Sequence, residues 1–483
     1  MKILIKGAGD LATGVAYELF LRGHQILMTE TKVPLTVRRQ VAFSRAVYEG
    51  CAVVEGVTAE LADVFAMSCL QQKNETELTD VSALPRLSRK GAAKHGKSAR
   101  DILTQEKIAV IVDPQAAVAK EYQPDVIVDA IMAKKNTGTA ITDASFVIGL
   151  GPGFTAGEDC HAVVETMRGD TLGQPVYKGQ AIPNTGIPGI IGGYDIERLI
   201  RASADGMMEP VKHIGDIVDK GEILAYTGNE PVRAQIDGII RGMLQSGVMV
   251  RKGLKIGDVD PRKDPALVHK ISDKSRKIGV GVCEAIAHLC RINCGILLLA
   301  AGESRRYGGD KLLESIQGQP MYKYSLKHME AFPECTRAVV TRFADIETAA
   351  EAQGVVAVKN DHPEEGISRS LRLGMQKLLE INPAMRGVLC MVCDQPYVKT
   401  DTIERMFVYA SGVSSRIVCA GTRERQGNPV WFGRDYFDEL MALKGDVGGK
   451  QVVRRYPEQV VVCPASVREL MDIDYRLEGE KNA

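Results

Sequence analysis

The residues best suited to chemistry lie just past an apolar run. Ile296 to Leu299 are four consecutive apolar residues and read as a short buried parallel strand. Ala300, Ala301 and Gly302 follow, then Ser304, Arg305, Arg306 and Lys311. Small residues let the backbone approach a ligand, and free N–H groups beside two or three cations make a cradle for a triphosphate. The plainer reading is a strand-to-loop turn with exposed Arg and Lys. Asp394 stands after a second apolar run, Gly387 to Cys393. An acid at the C-terminal end of a central strand faces the crevice where α/β sheets bind ligands. Mg²⁺ is usually held there by one or two carboxylates plus substrate phosphates. Asp394 is therefore the expected metal ligand, with Arg306 and Lys311 as catalytic cations. Cys390 and Cys393 form a Cys-x-x-Cys pair, but residues three apart on a strand face opposite ways, so they are not read as a zinc site.

These residues need a sheet to hold them. Residues 294–483 alternate apolar runs with helical patterns: strands at Arg337–Thr341, Val355–Val358 and Gly387–Cys393, helices at Ile346–Gln353 and Gly366–Leu379. The last of these helices carries Ile367, Leu371, Met375 and Leu378 on one stripe. The pattern predicts a parallel sheet with helices on both faces, a Rossmann-like α/β domain.

A second constellation opens the chain. Ile3–Ile5 reads as a strand running into Gly7, Gly9 and Ala12, a Gly-x-Gly-x-x-Ala pattern at a helix start. His24–Glu30 reads as the next strand and ends in an acid. Glycines for the turn, a helix N-terminus for a phosphate and an acid for a ribose hydroxyl make a candidate dinucleotide site of Gly7, Gly9, Ala12 and Glu30, with NAD(P) as its cofactor. The alternative, which the sequence favours, keeps these glycines for packing alone. Arg38 and Arg39 read as anion contacts or a solvated helix face, the second being preferred. Residues 1–150 form this Rossmann-like domain, with a polar and then basic stretch near 71–107 expected to be a mobile inserted loop. Its six cations lack interleaved aromatics, so no nucleic-acid partner is inferred. Strands at Ile108–Val112 and Val126–Asp129 resume the alternation, and Ala130–Asn136 reads as a loop at the ligand-binding edge.

Residues 151–290 are less regular. Phe146–Ile148 enters the glycine-dense loop Gly149–Gly157, either an anion nest or a tight crossover. Asp159, Cys160 and His161 are adjacent, and neighbours in sequence point apart, so a metal reading is not preferred. Gly215, Val218, Lys220 and Gly221 recur 32 residues later as Gly247, Val250, Lys252 and Gly253. Arg262–Cys294 reads as a connector, loop-like over Ser272–Gly281 and helical over Val282–Leu289.

Composition sets the frame. A chain of 483 residues suggests about three domains. The 61 basic and 61 acidic residues balance, which removes any charge argument for nucleic acid or an anionic membrane. Eleven scattered cysteines suit a reducing cytoplasm. No apolar run approaches the length of a membrane span.

The C-terminal motifs carry a resemblance. Ala300–Lys311, Asp361–Leu371, Asp394–Pro396, Gln426–Phe432 and Gly445–Gly449 together resemble molybdenum-cofactor cytidylyltransferases. The Ala300-Ala301-Gly302 form resembles the CTP-using members. Tyr307 departs from the family's usual Met or Phe, and only Asp472 and Asp474 survive of its closing motif. The resemblance implies that Ala300, Ala301, Gly302, Ser304, Gly366, Ser368 and Ser370 bind the nucleotide. It implies that Gly427, Asn428, Pro429 and Asp446 face the acceptor, molybdopterin cofactor, with Mg²⁺ on Asp394. Residues 207–261 resemble the flattened β-sandwich of biotinyl and lipoyl carrier domains, without a lysine at the tip Thr227–Pro231. Residues 1–290, through Lys6–Gly14, Gly149–Gly157, Val164–Gly169 and Asn184–Gly189, resemble the accessory protein of selenium-dependent molybdenum hydroxylase systems. That resemblance implies a hydroxylase apo-enzyme or its maturation factors as partner, and no reaction. The expectation is cytidylyl transfer from CTP to molybdopterin cofactor. The alternatives are a cytidylyltransferase for another phosphorylated acceptor, an NAD(P)-dependent oxidoreductase centred on the N-terminal domain, or a cofactor-delivery scaffold.

Overall fold

The structure is a computed structural model. It describes every residue except 64, 66–96, 185–189, 303–306, 411–413, 423 and 474–483. The chain divides into two compact units, Met1–Ala285 and Ile286–Ala483.

The first unit is built on a nine-stranded sheet. Its strands are β1 (Lys2–Lys6), β2 (Gln25–Glu30), β3 (Cys51–Val54), β4 (Val57–Ala62), β5 (Ile108–Val112), β6 (Val126–Asp129), β7 (Phe146–Leu150), β8 (Ala162–Val164) and β9 (Pro175–Val176). They lie in the order β9-β8-β7-β6-β1-β2-β5-β4-β3. The central strands are parallel and almost wholly buried, which is why they read as unbroken apolar runs. Helix α1 (Asp10–Leu21) follows β1 at once, and β6 pairs on the other side of β1, so the strand order reverses between β1 and β6. The sheet runs past residue 150 to take in β8 and β9. At the end of the expected inserted loop, residues 97–107 carry helix α2 (Ala99–Thr104), capped by the Ser98 hydroxyl accepting from the Asp101 N–H. The rest of that loop lies outside the described residues.

Residues 199–260 of the same unit form two four-stranded antiparallel sheets. One has the order β10 (Leu199–Arg201), β17 (Lys255–Asp260), β15 (Gly238–Met243), β12 (Ile217–Val218). The other runs β14 (Glu230–Arg233), β13 (Ile223–Thr227), β11 (Gly206–Pro210), β16 (Met249–Val250). Side chains of both sheets share one apolar core that includes Met208, Leu224, Ile240 and Ile256. The repeat is structural: Gly215 and Gly247, and Gly221 and Gly253, all take left-handed φ between +79° and +101°.

Helix α3 (Asp273–Arg291) corrects the expected connector, whose first half was read as a loop. Gly279 and Gly281 suggested a break. They are there for packing. A Cβ on Gly279 would sit 2.6 Å from the Gly14 carbonyl oxygen, and one on Gly281 would sit 1.7 Å from that of Gly173.

The second unit has a seven-stranded sheet. It contains β18 (Cys294–Ala300), β19 (Thr336–Thr341), β20 (Val356–Lys359), β21 (Gly387–Val392), β22 (Ile417–Gly421), β23 (Gln426–Gly433) and β24 (Val460–Pro464). The order is β20-β19-β18-β21-β23-β22-β24. Strands β20, β19, β18 and β21 are parallel, whereas β23 runs antiparallel to both β21 and β22. Strands β22 and β24 pair in parallel and run the same way as β21, so the expected parallel sheet holds apart from the single reversed strand β23. Two apolar clusters cover its two faces, one around Ile296, Leu298 and Trp431, the other around Leu297, Leu371 and Phe432. Cys390 and Cys393 fall in different clusters, as their strand spacing requires, and burial pushes both thiols up to about 12.

Candidate active site

In the second unit the strand order reverses between β18 and β21, where ligands of α/β sheets characteristically sit. A cavity of about 320 Å³ opens there, lined among others by Ala301, Gly302, Lys311, Gly366, Ser370, Asp394 and Asp446. Three strand ends supply it. Ala301 and Gly302 follow β18, Asp394 follows β21, and the loop from Asn360 to Gly366 joins β20 to helix α4 (Ile367–Ile381).

Lys311 and Asp394, 83 residues apart, meet across this cavity. The lysine Nζ donates to Asp394 Oδ2 at 2.7 Å and to the Ile473 carbonyl at 3.3 Å. Both side chains are partly shielded from water, the lysine more than the aspartate. The N-terminus of α4 opens on the same space. Its cap, Gly366, has φ +87°, and a Cβ there would lie 2.6 Å from the Asp446 backbone. The Asp446 carboxylate accepts from the Ile367 N–H at 3.4 Å, so the acid sits on the positive end of the helix. Ser370 is buried and its hydroxyl accepts from Asn360 Nδ2 at 2.9 Å.

The expected site residues therefore divide. Ala301, Gly302, Lys311, Gly366, Ser370, Asp394 and Asp446 line one cavity. Ala300 is the buried last residue of β18 and lies one residue behind the wall. Ser368 is fully buried, with its hydroxyl accepting from Arg372 at 3.4 Å. Gly427, Asn428 and Pro429 begin β23 and are not part of the lining. Ser304, Arg306 and Asp474 lie outside the described residues. Asn360 was missed by sequence reasoning. It is buried, bonds Ser370, and accepts from the His362 N–H and Arg369 Nε, so it fixes the loop that leads into Gly366. Its signal was available: it follows the β20 run as Asp394 follows β21.

Among the described residues no three metal-ligating side chains converge. Asp394 lines the cavity with Glu364 and Asp446, and one carboxylate at a strand end suits Mg²⁺, which takes most of its ligands from phosphates and water.

The first unit brings its own expected residues together. Gly7, Gly9, Ala12 and Glu30 all line a cavity of about 1100 Å³ at the C-terminal ends of β1, β2 and β6, joined by Ala130, Ile131 and Met132 of the expected edge loop. Glu30 Oε2 accepts from the Ala8 N–H at 2.9 Å, and Oε1 accepts from the Thr31 N–H at 2.7 Å and the Thr31 hydroxyl at 3.2 Å, which leaves Oε2 the further lone pair. Arg38 corrects the expected solvated face. It is buried, and pairs with Asp10 at 3.1 Å. The Gly149–Gly157 loop is a tight crossover: Cβ atoms on Gly149, Gly151 and Gly153 would meet Phe154, Thr166 and Lys135 at 2.4 to 2.6 Å. Asp159 and His161 accept from the backbone N–H groups of Thr155 and Val147 and hold that turn. No helix of the described residues is long and apolar enough to cross a membrane.

The uncharacterized protein YqeB of Escherichia coli (strain K12) is 42% identical over 287 residues, 59% of this chain. The chain spans about half of that relative's length, 47%. The match is longer than the second unit, so it includes part of the first. Rv0371c of Mycobacterium tuberculosis H37Rv is 24% identical in structural alignment, covering 38% of this chain and 94% of that one, with a TM-score of 0.32. A nucleotidyl transferase from a Methanothermobacter (Mth528) gives 24%, 38% and 92%, and the same TM-score of 0.32. Residues 296–460 match the family model of the MobA-like NTP transferase domain, and the second unit is a nucleotidyltransferase domain of that kind.

Proposed function

We propose that the second unit transfers the cytidylyl group of CTP to the terminal phosphate of molybdopterin cofactor and releases pyrophosphate. The observation that carries the reading is the meeting of Lys311 and Asp394 beside the open N-terminus of α4 in a cavity of small-molecule size. The choice of CTP and of molybdopterin rests on the motif resemblance around Ala300–Gly302, Gly427–Pro429 and Asp446.

A phosphate oxygen of the acceptor attacks the α-phosphorus. One P–O bond forms, the bond from that phosphorus to the bridging oxygen breaks, and its electron pair leaves with pyrophosphate. The nucleophile is already an anion, so no general base is needed. The protein must align the two phosphates and answer charge on the leaving group. Lys311 answers the triphosphate charge once it parts from Asp394. The N–H groups at the start of α4 hold a phosphate or the ribose, and the Asp446 loop seated on Gly366 limits where the acceptor can enter. Bound Mg²⁺, with Asp394 as its protein ligand, supplies further neutralisation of the phosphates.

The first unit, on this reading, serves a molybdenum hydroxylase by holding or delivering cofactor. The test is pyrophosphate release by the full chain with CTP, GTP or ATP, Mg²⁺ and molybdopterin. CTP-dependent release that needs molybdopterin supports the proposal. Release with a sugar phosphate instead, or with GTP alone, overturns the acceptor or the nucleotide.

A further inference from the structure

The cavity of the first unit is lined by more cations than anions. Seven of its lining residues are Lys or Arg and three are Asp or Glu. Two arginines matter most. Arg38 comes from the loop after β2, and Arg241 from β15 of the small sheets, which is held against that loop by the Met243 N–H donating to the Val37 carbonyl at 2.9 Å. Each arginine is more than nine-tenths buried, and each has a buried Nε without a hydrogen-bond partner. Arg38 is otherwise well held, by Asp10 and by the Leu267 and Lys270 carbonyls. Arg241 has Asp260 at 3.8 Å, beyond hydrogen-bond distance. Burial and the nearby Arg38 charge both lower its affinity for its own proton, against the pull of Asp258, Asp260 and Asp10. Two buried arginines of one cavity, each with an Nε that lacks an acceptor, offer donors to an anion.

The glycines agree. Gly7 needs its identity for the chain alone, since its φ is +96° and a Cβ would be 3.1 Å from the Ala130 carbonyl. Gly9 does not. Its φ is −70°, and a Cβ would meet only Thr36 Oγ1, at an ordinary 3.6 Å. The space that this missing Cβ leaves lies at the N-terminus of α1, whose first turn has no side-chain cap. Asp258 on β17 adds the opposite chemistry. It lines the same cavity, is 5% exposed, and has a buried Oδ1 without a donor. An acceptor in that state calls for a hydroxyl or amino group.

We propose that the first unit holds a second ligand site, for a phosphorylated small molecule of nucleotide type. Its phosphate seats on the Gly9 end of α1 and between Arg38 and Arg241, and a hydroxyl or amino group of the ligand donates to Asp258. The small sheets thereby complete a site that the Gly-x-Gly turn and Glu30 begin.

The test is hydrogen–deuterium exchange on the full chain, read peptide by peptide with inorganic pyrophosphate and, separately, with NADPH. Lys311→Ala serves as background, so that occupancy of the second unit cannot be mistaken for this site. Protection of peptides covering residues 7–13 and 238–243 by either probe is expected. Gly9→Ala, which the fold accommodates, and Arg241→Met should each raise the half-saturating concentration at least about tenfold. Arg241→Met should leave the melting temperature little changed, because its contact with Asp260 is long and Asp260 keeps its closer partner Arg262. Protection by neither probe, protection confined to the second unit, or protection undiminished in both variants overturns the proposal.

Discussion

Lys311 and Asp394 neutralise each other at 2.7 Å, and the proposed reaction gives each a separate task. The pair holds both groups in place at the point where β18 and β21 part. On the proposed reading a triphosphate and its metal ion would displace the pair by offering each member a better partner. Removing either charge should therefore act on the reaction far more than on the fold. Lys311→Ala and Asp394→Ala are each expected to lower turnover with CTP by at least about 100-fold, by analogy with the loss of a single oxyanion donor. The thermal midpoint should move little, because the pair is partly open to solvent. Initial rates and melting curves on the same samples check both halves. Near-normal turnover in either variant would sink the assignment of these two residues.

Gly366 links the nucleotide side of the cavity to the Asp446 loop. Its left-handed φ and the 2.6 Å approach of Asp446 leave no room for a Cβ. Gly366→Ala should destabilise the second unit by about 1–3 kcal/mol. It should also weaken CTP binding, since the start of α4 must shift. Calorimetric titration with CTP alongside a urea melt reads both effects. A variant that binds CTP normally would mean that this helix end does not touch the nucleotide.

The single tryptophan makes the second unit separately observable. Trp431 is fully buried on β23, and a Cβ added to Gly387 on the facing strand would lie 2.0 Å from its ring. Gly387→Ala should lower the urea midpoint followed by tryptophan fluorescence, with an overpacking cost of about 1–3 kcal/mol. Slow-exchanging amides of β1 and β2 in the first unit should be unaffected. Equal loss in both units would show that they unfold as one.

What the sequence revealed follows from where its information is local. Asp394 and the Ala300–Gly302 turn could be read because a strand end and its apolar run are contiguous in the chain. Asn360 occupies the same kind of strand end, yet its value depends on Ser370, which only the fold brings near. Arg38 was misjudged because its partner Asp10 is 28 residues away and its cavity is completed by Arg241. Strand β23 was not read as a strand at all, which hid the one reversed strand of the second sheet. Its Gly427 and Pro429 are residues that weaken that reading.

His24 gives the first unit a defined response to acid. Burial, with the N-terminal ammonium and Arg22 adding to it, holds the imidazole down at about 3 from an ordinary 6.5. Between those values the unfolded chain binds a proton that the folded chain does not. Stability from this residue is therefore intact above pH 6.5 and falls as the pH drops, by up to about 1.4 kcal/mol per pH unit. At about pH 5 the loss reaches about 2 kcal/mol. His24→Gln should remove that slope while keeping a polar side chain. Exchange rates of the β1 and β2 amides at pH 7 and pH 5, corrected for intrinsic exchange, read it directly. Parallel slopes in the two proteins would rule out His24 as the titrating group.

The glycines of α3 lead to a prediction of opposite sign to the usual rule. Replacing Gly by Ala inside a helix ordinarily stabilises by about 1 kcal/mol. At Gly281 the new methyl would be driven to 1.7 Å from the Gly173 carbonyl, and at Gly279 to 2.6 Å from that of Gly14. Both opposing atoms are backbone, so relief requires moving α3 off the first unit's sheet layer. Gly281→Ala should cost more than Gly279→Ala, and each should destabilise the first unit by more than the helical gain returns. Protease sensitivity of residues 165–176, which pack beneath Gly281, should rise in the Gly281 variant. If instead that variant melted higher than the wild type, α3 would not be seated on Gly173 in solution, and the glycines would mark the loop that their spacing suggests.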